Sequence, residues 1–144
     1  PTDIEPSDYA AIYYSGGGSA AAGIANNAEI NSIAESIYEK NGIVSAVCHG
    51  TAGIVNLKNE VGASLYNGKK ISGYPDIFEN KKAEYYKTFP FSIEERITQN
   101  KGMFLYSEKK RANFYVSDGN FITGQDPSST VSVAKQVVKV LVNN

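Results

Sequence analysis

A helical pattern followed directly by a short apolar run constrains the fold more than any other feature. In residues 26–42, NNAEINSIAESIYEKNG, apolar side chains recur at helical spacing after Asn27, a candidate N-cap. Lys40 lies in the last turn of the predicted helix, and Gly42 marks the end of that helix. Residues 43–47, IVSAV, then predict a central β-strand. The predicted apolar face of the helix comprises Ile30, Ile33, Ala34 and Ile37.

Apolar runs and helical patterns alternate along the rest of the chain. The pattern of residues 9–14 predicts a buried strand that ends at the glycine loop of residues 15–18. The pattern of residues 70–74 predicts another short strand. Ser92 and Glu95 have capping-box spacing, which predicts a helix over residues 93–100. This alternation is typical of an α/β protein with a largely parallel sheet.

The last third of the sequence predicts a hairpin and a closing helix. The sequence of residues 112–124, ANFYVSDGNFITG, predicts two strands joined by a turn at Asp118 and Gly119. Asp126 can cap a helix whose first residue is Pro127. The apolar face predicted for that helix comprises Val131, Ala134, Val138 and Leu141.

Composition excludes several classes of protein. The chain has 144 residues, 42% of them hydrophobic, with a formal net charge of -1. These values predict one globular domain over residues 1–144, and the lack of a basic stripe argues against nucleic acid as a partner. No apolar run approaches the roughly 20 residues of a membrane span, and the first residues lack a signal-peptide pattern. We therefore expect a cytoplasmic protein without a membrane partner.

The chain contains one cysteine and one histidine, and they are adjacent. Cys48 and His49 follow the apolar run IVSAV, and Gly50 comes before a segment, residues 52–59, in which helical spacing resumes. A sharp strand-to-helix turn of this kind is a nucleophile elbow, which exposes its central side chain and frees the next backbone N–H for an oxyanion. A helix dipole and a nearby imidazolium would both favour the thiolate. One histidine offers no metal-ligand cluster, so we expect no metal.

Each of these features also has a simpler interpretation. A lone cysteine at the end of an apolar strand is often just a small buried side chain. A triple-glycine loop is often a plain turn, and GGGSAAAG at residues 16–23 lacks the spacing and the GK[ST] ending of phosphate loops. The placement of Cys48 and His49 at a strand end favours a functional site.

Four segments carry a resemblance to a known family. VCHG after the apolar strand, the upstream YYSGGG, GKKISGY, and DGNFITGQDPSS before the last helix occur in the order found in the ThiJ/PfpI superfamily. The branch that they resemble contains heat-shock-type chaperones and glutathione-independent glyoxalases. The resemblance implies a flavodoxin-like three-layer sandwich with a mainly parallel sheet and an elbow cysteine.

The resemblance also implies the site residues. Cys48 is the nucleophile and His49 its partner, and the carboxylate that completes a triad is Glu79, in the segment YPDIFEN. Asp76 in the same segment is the competing carboxylate. The N–H groups of Gly17 or Gly18, with that of His49, would bind an oxyanion. The branch commonly reads Gly-His-Gly where this chain has Gly17, Gly18 and Ser19, so a side chain at the border of the site differs.

The resemblance implies an enzyme that converts methylglyoxal or a similar small reactive 2-oxoaldehyde to a hydroxy acid without glutathione or another cofactor. Two alternatives remain: a holding chaperone or redox sensor with an oxidisable cysteine, and a Cys-His amidohydrolase or peptidase. The family fold begins with about two further strand-helix units, one of which supplies a glutamate to the cysteine, and this chain resembles the C-terminal two-thirds. We therefore expect a homo-oligomer or a companion chain to cover the exposed sheet edge, unless the chain is a processed fragment.

Overall fold

The computed structural model describes residues 2–143. The strands are β1 (Ala11–Tyr14), β2 (Ile43–Val47), β3 (Lys70–Ile71), β4 (Met103–Phe104), β5 (Tyr115–Asp118) and β6 (Phe121–Gly124). The α-helices are α1 (Ala28–Glu39), α2 (Glu84–Lys87), α3 (Ile93–Gln99) and α4 (Thr130–Asn143). Short 3₁₀ segments connect several of these elements, including Gly18–Ala21, Cys48–Gly53 and Asp76–Phe78.

The main sheet has four strands in the order β1-β2-β6-β5. β1, β2 and β6 run parallel, and β5 pairs with β6 in the predicted antiparallel hairpin. β3 and β4 form a separate parallel pair. Alternate residues of β2 face opposite layers: Val44 packs into the larger core, and Ile43 packs against α4. The α/β fold with a mainly parallel sheet between helical layers is confirmed.

Two of the predicted N-caps are present at the starts of helices. Asn27 accepts a hydrogen bond from the N–H of Ile30 at 3.0 Å, and Ser92 accepts one from the N–H of Glu95 at 3.0 Å. Each bond satisfies a donor that the first turn of a helix leaves free. α1 and α3 therefore begin where the sequence predicts.

The prediction for the buried face of α4 is wrong. Val133 is fully buried against Ile43 and Ile122, with Val137 and Val140 packed beside it. The four residues predicted as the buried face are exposed, namely Val131, Ala134, Val138 and Leu141. Valine occurs on both sides of this helix, so periodicity alone gives two candidate faces. The chain enters α4 through the 3₁₀ turn Pro127–Ser129, which sets the rotation of the helix.

Two further predictions need correction. The helix expected after Gly50 is the six-residue 3₁₀ segment Cys48–Gly53, and all six residues are buried. A helix dipole therefore does not support the thiolate in the predicted way, because the dipole sums over aligned α-helical peptides. The strand expected over residues 70–74 pairs only at Lys70–Ile71. Beyond Ile71 the chain turns inward, and the N–H of Ser72 bonds the hydroxyl of Thr123 at 2.7 Å.

β1 lies at the edge of the main sheet. Within residues 2–143 it pairs with β2 alone. A second copy or a companion chain that covers this edge stays a prediction. None of the helices in the described residues is both long enough and apolar enough to cross a membrane.

Candidate active site

Cys48 stands directly after the buried strand β2 in a strained backbone conformation. Its φ is 60°, in the left-handed region that residues other than glycine rarely adopt. The chain then enters the 3₁₀ segment Cys48–Gly53. This change of direction is the predicted elbow geometry, formed with a 3₁₀ turn in place of an α-helix.

Two glycines allow the elbow to approach the loop after β1. A Cβ on Gly50 would overlap the carbonyl oxygen of Tyr14 and lie 2.6 Å from that of Ser15. A Cβ on Gly16 would lie 2.9 Å from the Cβ of Cys48. Only residues without a side chain fit at these two positions, so the glycine loop and the elbow are packed backbone to backbone.

A chain of contacts links Cys48, His49 and Glu79. The Sγ of Cys48 lies 3.5 Å from Nδ1 of His49, and Nε2 of His49 lies 2.6 Å from Oε1 of Glu79. Since a carboxylate accepts hydrogen bonds, Nε2 carries a proton and Nδ1 faces the thiol. The exposed fractions of the His49 and Glu79 side chains are 6% and 4%. Low exposure strengthens the interaction between these charges.

Asp76, the competing carboxylate, lies elsewhere. Its Oδ2 accepts a hydrogen bond from the hydroxyl of Ser92 at 2.7 Å, and its N–H donates to Glu94 at 3.0 Å. These bonds join the 3₁₀ turn Asp76–Phe78 to the start of α3. Of the two carboxylates, the structure brings Glu79 to His49.

Electrostatics favour a charged imidazole at His49. Burial alone would lower its pKa, but the contacts with Cys48 and Glu79 outweigh burial and raise the pKa to about 9. His49 is therefore a cation at neutral pH. An imidazolium beside a cysteine favours the thiolate, which is the nucleophilic form.

Aromatic side chains that the sequence patterns do not predict enclose the imidazole. The ring of Tyr74 lies against it, with centroids 4.4 Å apart and planes 30° apart. Phe89 and Tyr85 make T-shaped contacts with the imidazole, with ring centroids 5.3 and 6.1 Å away. The hydroxyl of Tyr74 also donates to the carbonyl of Phe78 at 3.2 Å, next to Glu79. Tyr74 thus contacts His49 and is hydrogen-bonded to the segment that contains Glu79.

A cavity of about 950 Å³ opens beside Cys48 and His49. Gly17 and Gly18 line it, as predicted for a loop adjacent to the elbow. Gly18 begins the 3₁₀ turn Gly18–Ala21, so its N–H has no acceptor within that turn. Tyr85 packs on Gly18, where a Cβ would lie 3.3 Å from its ring. In residues 2–143, no group of three or more His, Cys, Asp or Glu side chains could hold a metal ion.

The sequence of this chain matches a known protein family over nearly its whole length. The model of the DJ-1/PfpI family matches residues 2–140. The chain belongs to the DJ-1/PfpI family. Glyoxalase 3 of Candida albicans is 33% identical over 141 residues, which cover 95% of this chain and 60% of that protein. The glutathione-independent glyoxalase HSP31 of Saccharomyces cerevisiae is 27% identical over 151 residues, which cover 99% of this chain and 62% of that protein.

Solved structures of DJ-1/PfpI relatives superpose on this chain. A crystal structure of glyoxalase III from Candida albicans has a TM-score of 0.87 at 33% identity, over 96% of this chain and 59% of that one. The Rapid Encystment Protein 24 KDa of Francisella tularensis has a TM-score of 0.86 at 30% identity, over 94% of this chain and 60% of that one. The chain thus spans about three fifths of the length of these relatives. The predicted resemblance to the glyoxalase branch of the family is confirmed.

Within this DJ-1/PfpI site, the structure brings together the residues that the sequence predicts. Cys48 and His49 come from the elbow, Glu79 from a distant loop, and Gly17 and Gly18 from the loop after β1. The aromatic residues around His49 carry no local signal, because tyrosine and phenylalanine are ordinary core residues. Their role is visible only once the fold brings residues 74–89 over the elbow.

Proposed function

We propose that the protein converts methylglyoxal or a similar 2-oxoaldehyde to the corresponding 2-hydroxy acid without glutathione. The observation that carries the proposal is the chain of contacts from Sγ of Cys48 through both ring nitrogens of His49 to Glu79, beside a cavity. Relatives named as glutathione-independent glyoxalases and glyoxalase 3 support it. A Cys-His-Glu triad would then be the catalytic unit.

The first step is addition of the Cys48 thiolate to the aldehyde carbon. His49 is charged at neutral pH and faces the sulfur through Nδ1, so a positive charge lies beside the attacking atom before substrate enters. The new C–S bond converts the aldehyde oxygen to an oxyanion. Backbone N–H groups of His49 and of Gly17 or Gly18 would hold this oxyanion, which takes a proton from the Nδ1–H of His49 and leaves a hemithioacetal.

The second step moves hydrogen between the two oxidised carbons. Neutral His49 takes the proton from the former aldehyde carbon through Nδ1 and returns it to the neighbouring ketone carbon through an enediol-like state. The first carbon is oxidised and the second reduced, so no external oxidant or reductant is consumed. The product is a thioester on Cys48. Water hydrolyses it to the hydroxy acid and regenerates the thiol.

Glu79 keeps His49 oriented throughout these steps. Its Oε1 holds the Nε2–H at 2.6 Å, which fixes the tautomer that presents Nδ1 to the sulfur. The same carboxylate stabilises the imidazolium whenever the ring is protonated. Neither role requires Glu79 to give up or accept a proton.

A direct assay tests the proposal. The protein is mixed with methylglyoxal without glutathione, and lactate is quantified over time. We expect lactate to accumulate with the wild type and to fall to the uncatalysed rate with Cys48→Ala. Lys139→Gln, on the exposed side of α4, serves as a control and retains turnover. Full turnover by Cys48→Ala would rule the mechanism out.

A further inference from the structure

The cavity beside Cys48 has more room than a three-carbon aldehyde occupies. Its volume of about 950 Å³ is near the upper end of the roughly 300–1,000 Å³ typical of sites for much larger ligands. Cys48 and His49 occupy one part of its wall. Lys110 and Arg111, from the loop between β4 and β5, occupy another part. A ligand with its aldehyde at Cys48 therefore has space to extend toward two cations.

Lys110 lies over an aromatic ring and lines the cavity. Its Nζ lies 5.3 Å from the ring centroid of Phe78, the residue before Glu79. A cation over an aromatic face is held there by the quadrupole of the ring. The ammonium group is thereby kept at the cavity wall, near the segment that carries the carboxylate of the site.

Arg111 is held by its backbone. Its φ is 57°, and its N–H donates to Oδ2 of Asp126 at 2.8 Å. The ion pairs within residues 2–143 are His49–Glu79 and Lys87–Glu84, so no carboxylate of the described chain pairs with the side chain of Lys110 or Arg111. Two cations in one cavity without a carboxylate partner are available to an anionic ligand.

Asp126, which also lines the cavity, does not cancel this charge. It is only 3% exposed, and its oxygens accept hydrogen bonds from the N–H and hydroxyl of Ser128, the amide of Gln125 and the N–H of Arg111. Burial alone would raise its pKa, but these bonds outweigh burial and lower it. Asp126 is thus a charged residue that links the loop containing Arg111 to the turn containing Ser128, and both of its carboxylate oxygens already accept hydrogen bonds. The wall still carries a net positive charge.

We propose that Lys110 and Arg111 bind an anionic group at the far end of the substrate, so that the preferred substrate is a 2-oxoaldehyde bearing a phosphate or carboxylate. This inference rests on the proposed function, and it adds the class of substrate. The reaction is balanced as before: R–CO–CHO and water give R–CHOH–COOH, and the anionic group on R takes no part in bond making. The two cations contribute binding and orientation of the reacting carbons.

Competing substrates test the inference. Methylglyoxal is compared with 2-oxo-3-phosphooxypropanal, which is methylglyoxal with a phosphate on its methyl carbon, and with phenylglyoxal, which is larger but neutral. We expect kcat/KM for the phosphate compound to exceed the other two at least tenfold. Equal values for the phosphate compound and methylglyoxal would overturn the inference and leave the proposed function intact. A preference for phenylglyoxal as strong as that for the phosphate would also overturn it, because size alone would then explain the result.

Charge-matched variants locate the binding group. K110Q/R111N removes both cations, and asparagine tolerates the positive φ of residue 111. K109Q/K139Q removes the same charge at two exposed positions that do not line the cavity. In K110Q/R111N we expect the ratio of kcat/KM for phosphate compound over methylglyoxal to fall at least tenfold. An equal fall in K109Q/K139Q would mean that net charge alone causes the effect, which overturns the inference.

Binding is measured separately from turnover. The hydroxy acid expected from the phosphate compound is 3-phosphoglycerate, and its affinity for wild type and both double variants is measured by calorimetry, with lactate as the uncharged-tail comparator. If no 2-oxoaldehyde is turned over, the proposed function fails. Binding of 3-phosphoglycerate that is lost in K110Q/R111N and kept in K109Q/K139Q would still support the anionic subsite. No binding, or equal binding in both variants, would overturn it.

Discussion

The hydroxyl of Tyr85 donates a hydrogen bond to Oε2 of Glu79 at 3.2 Å, while Oε1 of the same carboxylate lies 2.6 Å from Nε2 of His49. Glu79 is therefore held between a phenol from α2 and the imidazole of the elbow. The ring of Tyr85 also packs on Gly18 and lines the cavity. One side chain thus connects the carboxylate, the glycine loop and the space that substrate would occupy.

Tyr85→Phe removes the hydroxyl but keeps the ring. We expect kcat for methylglyoxal to fall about 3- to 10-fold, because a lost hydrogen bond of about 1 kcal/mol leaves Glu79 less firmly oriented. Steady-state kinetics measure the change. Tyr86→Phe is the matched control, since Tyr86 packs against Phe89 and not against Glu79. Equal losses in both variants would contradict an orienting role for Tyr85.

Glu79→Gln replaces the carboxylate with a neutral amide of the same shape. We expect turnover to fall at least about tenfold, because the amide cannot stabilise the imidazolium of His49. Asp76→Asn provides the comparison three residues away, where the carboxylate contacts Ser92 and not His49. Turnover by Asp76→Asn should remain within about twofold of wild type, because this half-buried side chain contacts Ser92 and lies away from His49. A greater loss in Asp76→Asn would contradict the assignment.

The only histidine of this chain gives a direct titration. Because its pKa is raised to about 9, its ring protons in NMR should shift with a midpoint far above the ordinary 6.5. Glu79→Gln removes one of the contacts that raise the pKa, so the midpoint should move down. A wild-type midpoint at or below 6.5 would contradict the described contacts.

The raised pKa of His49 also makes stability depend on pH. The folded state binds a proton more tightly than the unfolded state, so the stabilising contribution is complete below pH 6.5. It is lost as the pH rises from 6.5 through about 9. The free energy of unfolding from urea denaturation should fall across this window, and Glu79→Gln should show a smaller fall. A free energy of unfolding that rises across this pH window would contradict a raised pKa of His49 in the folded state.

Gly50→Ala tests the close packing of the elbow. The added methyl group overlaps the carbonyl oxygens of Tyr14 and Ser15, so the elbow or the glycine loop must move. We expect a loss of about 1–3 kcal/mol in the free energy of unfolding, together with a large loss of turnover. Gly62→Ala is the control, since a Cβ there meets nothing within 4 Å and only its φ of 80° is unfavourable. That variant should lose stability but keep turnover.

Two valines on α4 test the observed orientation of the helix. Val133 is fully buried and Val131 is 64% exposed. Val133→Ala should cost about 1–3 kcal/mol by leaving a cavity beside Ile43 and Ile122. Val131→Ala should stay within about 0.5 kcal/mol of wild type in the same denaturation assay. A larger loss of stability in Val131→Ala than in Val133→Ala would contradict the observed orientation and support the face predicted from periodicity.

Sequence patterns predicted correctly those structural elements that depend on interactions between residues close together in the chain. The cap at Asn27, the strand Ile43–Val47 and the hairpin at Asp118 depend on neighbours within a few residues, and each is where the sequence places it. The face of α4 depends on how the Asp126 turn rotates the helix against the sheet. That rotation is a tertiary property, so a helix with valine on both sides does not reveal it.

Sequence patterns likewise predict some residues of the candidate site and leave out others. Cys48 and His49 follow a recognisable strand, and the family resemblance indicates Glu79. Tyr74, Tyr85 and the cations at Lys110 and Arg111 approach the elbow only through folding of separate loops. Nothing in their own neighbourhoods distinguishes them from ordinary core or surface residues, so sequence patterns leave them out.

Adjacency of Cys48 and His49 has a consequence for how such a protein can diverge. One peptide bond joins the residues that carry the thiol and the imidazole, whereas the side chains that contact the imidazole and Glu79 come from the separate segment of residues 74–89. Substitutions in that segment can strengthen or weaken the imidazole without altering how the thiol is presented. The pKa and orientation of the imidazole can thereby change through single substitutions in that segment, while Cys48 and His49 stay the same.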